Sequence, residues 1–276
     1  MSTVKDQPIP FGLEREKHIE MLFRAFHRTC RSSTDPQDLV ATPVQRKCLL
    51  PGDCSPTSQA AIMEKENGGL ALLQTVSQLQ ITSIPELQGP QCISRKTYSI
   101  ASETKQQLFV VVEESSCVCM QCCGPARSCS LQGFNQDRQQ VFQFERPLRA
   151  DMCCLGCCLM EMRAYTAQRE LIGTVHQRWS MFTPYFEVCD STGSTHLRIQ
   201  GSCCPIRCLS NQEFQVVSMI GEHVGRVWKK WPGYNERCNM DHEYFGLDVP
   251  QNMLVNMKVL LLAATFLLNN MFFEMS

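Results

Sequence analysis

From Met253 to Phe273 nearly every residue is apolar, and Val259 to Leu268 is apolar throughout apart from Thr265. The run lacks Gly and Pro and is dominated by Leu, Ala, Met and Phe, so it favours a helix. A bilayer span needs about 20 apolar residues, whereas shorter runs belong more often to buried core helices. Asn256, Lys258, Asn269 and Asn270 interrupt the wider window. Two destinations fit a helix that is apolar all round, a membrane or the inside of a protein. Length favours the inside.

What precedes the helix decides what could enclose it. Gly68-Gly69 opens an ordered region in which Leu72, Leu73, Val76 and Leu79 have helical spacing. After Pro85 the pattern alternates. Tyr98 and Ile100 lead to a Ser102-Glu103-Thr104 turn, followed by Leu108 to Val112. Val141, Phe142 and Phe144 mark another strand, and Met160, Met162 and Ala164 one more. Phe186 and Val188 run into the Asp190-Ser191-Thr192-Gly193 turn before Leu197 and Ile199. Phe214 and Val216 precede Gly221, then Val224 and Val227. Short strands at regular spacing with turn signals predict an antiparallel sandwich or barrel. A closed barrel needs filling, and the terminal helix is a suitable filler. Residues 1–67, with scattered Pro and one short helical pattern over Leu13 to His27, read as a weakly ordered N-terminal region.

Lys+Arg 26 against Asp+Glu 27 gives a net charge of -1, so whole-chain charge argues for neither nucleic acid nor disorder. The anomaly is 18 cysteines in 276 residues. Met1 to Glu20 has no apolar stretch of the secretory kind, so disulfides are not the default expectation. The cysteines cluster at Cys117, Cys119, Cys122, Cys123 and Cys129, at Cys153, Cys154, Cys157 and Cys158, and at Cys203, Cys204 and Cys208. Three chemistries fit: a shared zinc site from Cys119-Cys122 and Cys154-Cys157, S-palmitoylation of the dense Cys-Cys-Leu-Gly-Cys-Cys run, and buried thiols packing as small hydrophobes. The six His are scattered, and nucleophile-elbow, phosphate-loop and HExxH patterns are missing. An ordinary hydrolase or nucleotide enzyme is not expected.

Several local sequences then fall in order along one family. Cys122-Cys123-Gly124-Pro125-Ala126-Arg127 resembles the CCGP(S/A)R element of phospholipid scramblases, and Phe144-Glu145-Arg146-Pro147-Leu148-Arg149 resembles their ERPLR element. A cysteine cluster follows, as in the family. Phe245-Gly246-Leu247-Asp248-Val249-Pro250 resembles the segment before the terminal helix, and Met271-Phe272-Phe273-Glu274 resembles its end. The resemblance covers about residues 68–276, taken as one domain whose helix occupies about 253–273. The family's proline motifs have no counterpart in residues 1–67. The resemblance implies a tubby-like fold, a closed antiparallel barrel around the hydrophobic C-terminal helix. It also implies calcium-responsive, ATP-independent, bidirectional movement of phospholipids between leaflets, by a transporter-like protein rather than an enzyme. The family is also described as spanning the membrane once through this helix, which conflicts with filling a barrel.

Carried over residue by residue, the resemblance marks Cys153, Cys154, Cys157 and Cys158 as palmitoylation sites, with the family's third cysteine and proline replaced by Leu155 and Gly156. Its calcium segment falls on Asp241, Glu243 and Asn252, with Asp248 as a supplementary carboxylate. Asn252 stands where a carboxylate belongs, so weak binding is expected. The basic stretch Gly225-Arg226-Val227-Trp228-Lys229-Lys230-Trp231 reads first as an edge strand protected by lysine, then as a membrane-interface or nucleic-acid contact, with nucleic acid not expected as a partner. The implied location is a membrane, the plasma membrane with the domain in the cytoplasm. Homo-oligomers or signalling proteins are the further partners expected. The rival reading is a membrane-anchored module that binds lipid or protein without moving lipid.

Overall fold

A computed structural model of the chain describes residues 68–84, 96–115, 127–148, 159–201, 211–230 and 244–273. The expectations for residues 1–67 lie outside these. After a single helical turn, α1 (Gly68–Ala71), the chain enters twelve strands among the described residues. They are β1 (Gln78–Ile84), β2 (Thr97–Ser102), β3 (Gln107–Glu114), β4 (Cys129–Phe134), β5 (Gln140–Arg146) and β6 (Glu161–Thr166), then β7 (Leu171–Arg178), β8 (Tyr185–Asp190), β9 (Thr195–Gln200), β10 (Gln212–Ser218), β11 (His223–Lys230) and β12 (Tyr244–Asp248). Each is antiparallel to its neighbours in sequence, and β1 pairs with β12 in the register Leu79↔Leu247, closing the barrel. Helix α2 (Val255–Leu268) continues as a π-helical turn, Asn269–Phe273.

The alternation read from sequence sets which face is inside. Ile81, Ile100, Phe109, Leu131, Phe144, Met162, Val175, Val188, Ile199, Val216, Val227 and Leu247 point inward and are fully buried. They meet α2, whose residues from Lys258 to Leu268 are all buried. The helix therefore lies inside the barrel, as its length favoured. Its aromatics lock into the wall: Phe266 lies edge-on to Tyr98 and Phe245, at 5.2 and 5.9 Å, and Phe214 contacts Phe272 and Phe273 at 5.3 and 5.9 Å.

Four details depart from the sequence reading. Leu79 belongs to β1 rather than to a helix, and period-two structure begins at Gln78, before Pro85. Strands β4, β7 and β12 carried no clear alternation signal. Cys129, Leu131 and Gly133 of β4 face inward with only one large apolar side chain among them, and β12 is five residues long. Val217 sits at a register shift in β10, which explains the irregular spacing of Val224 and Val227 across from it. Finally, β11 is not an edge: it pairs with β10 on one side and β12 on the other, because a closed barrel has no edges.

Candidate functional site

Each end of the buried helix is held by a lysine. Lys258, four residues into α2, is 0% exposed and its ammonium donates to the carbonyls of Leu73 (2.9 Å), Gln74 (3.1 Å), Val76 (2.7 Å) and Gln251 (2.9 Å). Three of these carbonyls lie in the turn from α1 to β1, so one side chain ties that turn and the β12–α2 connection to the helix. A positive charge near a helix N-terminus opposes the macrodipole, and burial lowers the Lys258 pKa below its usual value. The ring of carbonyl dipoles offsets both. At the other end, Lys229 of β11 donates to the Phe273 carbonyl at 2.6 Å, where a cation suits the helix C-terminus. The sequence reading took Lys258 for a flanking polar residue and missed this cage. The only available signal was a lone lysine beside an uninterrupted apolar run.

Two motif arginines meet at one barrel end. Arg127 donates from Nε and Nη2 to Glu113 Oε1 at 3.0 and 2.7 Å, and both residues are buried. Tyr98 donates to Glu113 Oε2 at 3.1 Å. Burial first, then the neighbouring Glu113 charge, pushes the Tyr98 phenol well above its usual pKa, so it stays a donor. Arg146 closes the network by donating to the Arg127 carbonyl from Nε (2.9 Å) and from Nη2. Strands β2, β3 and β5 and the entrance to β4 are thereby joined by charge-assisted bonds. Beside them lies a cavity of about 330 Å³ lined by Glu114, Ser128, Ser130, Glu145, Arg146 and Arg163, among others.

Of the residues assigned to calcium, Asp241 and Glu243 lie outside the described residues, as do Cys153, Cys154, Cys157 and Cys158. Asp248 ends β12. Its carboxylate accepts from Trp228 Nε1 (2.8 Å), Arg226 Nε (2.7 Å) and Gln78 Nε2 (2.8 Å). Burial pushes the carboxyl up, but the Trp228, Arg226 and Gln78 hydrogen bonds outweigh it and hold the pKa below the usual range. Asn252 lies beyond, on a pocket of about 410 Å³ shared with Leu197, Val224, Met253 and Met257. The extended strand from Tyr244 to Asp248 covers about 13 Å. Thus Asp241 and Glu243 precede that strand in sequence, while Asp248 and Asn252 follow most or all of it.

The basic stretch is bound into the wall. Arg226 pairs with Asp248 and Glu213, Lys229 reaches Phe273, and the Lys230 ammonium lies 4.8 Å from the centre of the Trp228 ring. Among the described residues no three His, Cys, Asp or Glu side chains converge as metal ligands. Cys129 and Cys189 are buried in the wall, and Asn270 of the π-helical turn donates to the Cys129 sulfur.

The Scramblase family model matches residues 57–275, which is most of the chain. The chain belongs to the scramblase family. Phospholipid scramblase 2 of Bos taurus is 32% identical over 213 residues, covering 75% of this chain and 72% of that protein. Phospholipid scramblase 1 of Mus musculus is 31% identical over 211 residues, covering 75% of this chain and 64% of that protein, a little under two thirds of its length. The same protein of Homo sapiens is also 31% identical, with 66% of its length covered. No solved structure matches. Within this scramblase domain the resembling elements acquire physical roles. Arg127 and Arg146 fasten strands β2 to β5, Phe245 packs against the buried helix, and Met271-Phe272-Phe273 closes the far end of the core.

Proposed function

We propose that this scramblase-family chain moves phospholipids in both directions between leaflets without ATP, in response to calcium. The observation that carries this reading is the match to the Scramblase family over residues 57–275, at about 31% identity to proteins named phospholipid scramblases. The membrane proposed is the plasma membrane, with the barrel in the cytoplasm. Acylation of Cys153, Cys154, Cys157 and Cys158 supplies the anchor, since stable attachment takes two lipid chains or more. The calcium site is proposed to be weak, because Asn252 is neutral and Asp248 is already engaged by three donors. Dithionite quenching of fluorescent lipid in proteoliposomes tests the proposal. Calcium-dependent loss beyond the outer-leaflet half supports transport, and loss of the outer half alone refutes it. Labelling with an alkyne palmitate tests the anchor: equal signal in wild type and the four-Cys-to-Ala variant removes it.

A second reading has its own support. Val255–Phe273 is long and apolar enough to cross a bilayer by composition, yet it fills the barrel. The wall is apolar inward and carries Arg163, Glu187, Arg198, Glu213 and Arg226 outward, the reverse of a membrane-spanning barrel. Neither feature offers headgroups a path through hydrocarbon. These features favour a membrane-anchored lipid- or protein-binding module. Proteoliposomes showing only the outer-leaflet loss with and without calcium would establish it over transport.

A further inference from the structure

The strands run up and down, so their connections divide between the two barrel ends. At one end the turns are short and charged, with Glu103, Lys105, Asp137, Arg138, Glu170 and Glu222 exposed. At the other end the β7–β8 connection is different. Between Arg178 and Tyr185 the chain reads Trp179-Ser180-Met181-Phe182-Thr183-Pro184, without a single charge. Trp179 is 59% exposed, and Met181 and Phe182 are each 72% exposed.

The roots of this connection are fixed and only its tip is unsupported. Arg178 pairs with Tyr185 across the strands, and the Gly201 N–H donates to the Pro184 carbonyl at 2.9 Å. Arg178 itself is bound to Glu187 at 2.8 Å. Leu148, half exposed just past β5, and Lys230 at the end of β11 stand at the same end. Three large apolar side chains held in water on one tip are unfavourable unless something covers them. Trp favours the headgroup boundary, and Met and Phe the layer beneath it.

We propose that the Trp179–Phe182 tip inserts into a lipid bilayer and sets the barrel end-on to the membrane. This rests on the membrane reading above and adds an orientation to it. The competing end also exposes Leu72, Leu171, Met219, Ile220 and Leu254, but these are spread over four separate connections, and inserting that end would drag Arg169, Glu170 and Glu222 out of water with them. A net charge of -1 gives little long-range attraction to anionic lipid. Insertion is thus driven by apolar contact, and it persists on neutral lipid and in high salt.

The test uses the full-length chain made without acylation and phosphatidylcholine vesicles. Wild type sediments with the vesicles. The variant Trp179→Ser/Met181→Ser/Phe182→Ser weakens partition by about tenfold or more, while Ile220→Ser/Leu254→Ser leaves it unchanged. Wild type failing to bind, equal binding by the triple variant, or loss only in the opposite-end variant overturns the proposal. So does light scattering showing that the triple variant merely separates a wild-type dimer into monomers that bind vesicles equally well. Dithionite quenching on the same proteins keeps the two ideas apart. Scrambling by wild type together with equal sedimentation of wild type and triple variant removes docking and leaves transport, whereas tip-dependent sedimentation without scrambling does the reverse.

Discussion

Lys258 would be the easiest position in this chain to mistake for a flaw in an apolar helix, and the carbonyl cage makes it a structural hub. Replacing it by Met keeps the length and deletes the donor to four backbone carbonyls, those of Leu73 and Val76 at buried contacts and those of Gln74 and Gln251 at part-buried ones. The expected cost is about 3 kcal/mol, seen as a lower urea midpoint with an unchanged slope. A variant as stable as wild type would show that water replaces the ammonium. Asp248 gives a pH prediction. Its folded pKa lies below the ordinary carboxylate value, so the stability it adds is complete above about pH 4 and is lost as pH falls below that. Asp248→Asn should therefore be less stable at pH 7 by about 1–2 kcal/mol and show a shallower decline between about pH 4 and pH 2. Parallel acid limbs for both proteins would assign the acid sensitivity elsewhere. None of these roles was legible in the sequence, because each depends chiefly on residues 20 to 185 positions apart meeting across the barrel.

Among the elements, those legible in sequence were the ones with clean alternation. Tyr98/Ile100, Phe186/Val188 and Phe214/Val216 each named a strand, and Asp190 to Gly193 named a turn that the structure builds around the Asp190 carboxylate. The strands that escaped notice use a glycine where the wall comes close to a large neighbour, on its inner face at Gly133 and on its outer face at Gly246. Gly133 in β4 lies under the Phe142 ring, and a Cβ there would come within 2.2 Å of it. Gly246 in β12 is the same device: an added Cβ would lie 2.3 Å from the Leu79 carbonyl and 2.6 Å from the Trp228 ring. The Leu79 carbonyl is backbone and cannot swing aside, so Gly246→Ala must spread β1 from β12 at the seam that closes the barrel. We expect a loss of about 2–3 kcal/mol and faster amide exchange in β1 and β12 than in β6 and β7. Uniform exchange across all four strands would mean that the seam is not the weak point.

At the scale of the whole molecule, the sequence left open whether the apolar helix spans a membrane or fills a barrel, and the closed sheet shows it filling one. Residues 259–268 contribute almost nothing to the surface, and Phe266 alone meets aromatic rings from β2, β5 and β12. A barrel of twelve strands encloses more room than its own side chains fill, so the helix supplies the middle of the core rather than an appendage to it. Removing it would expose the inward faces of the wall to water and release both lysine clamps. A chain ending at Asn252 should then fail to fold, giving aggregated material without the near-ultraviolet dichroism of packed aromatics. If the helix serves only as a membrane anchor, the same truncation should yield a monodisperse, folded barrel that unfolds cooperatively. The two outcomes separate a protein that must carry its helix inside from one that can hand it to the bilayer. Any transport mechanism that uses the helix as a span requires the second behaviour, because the free energy of emptying the barrel would otherwise fall on the transport step itself.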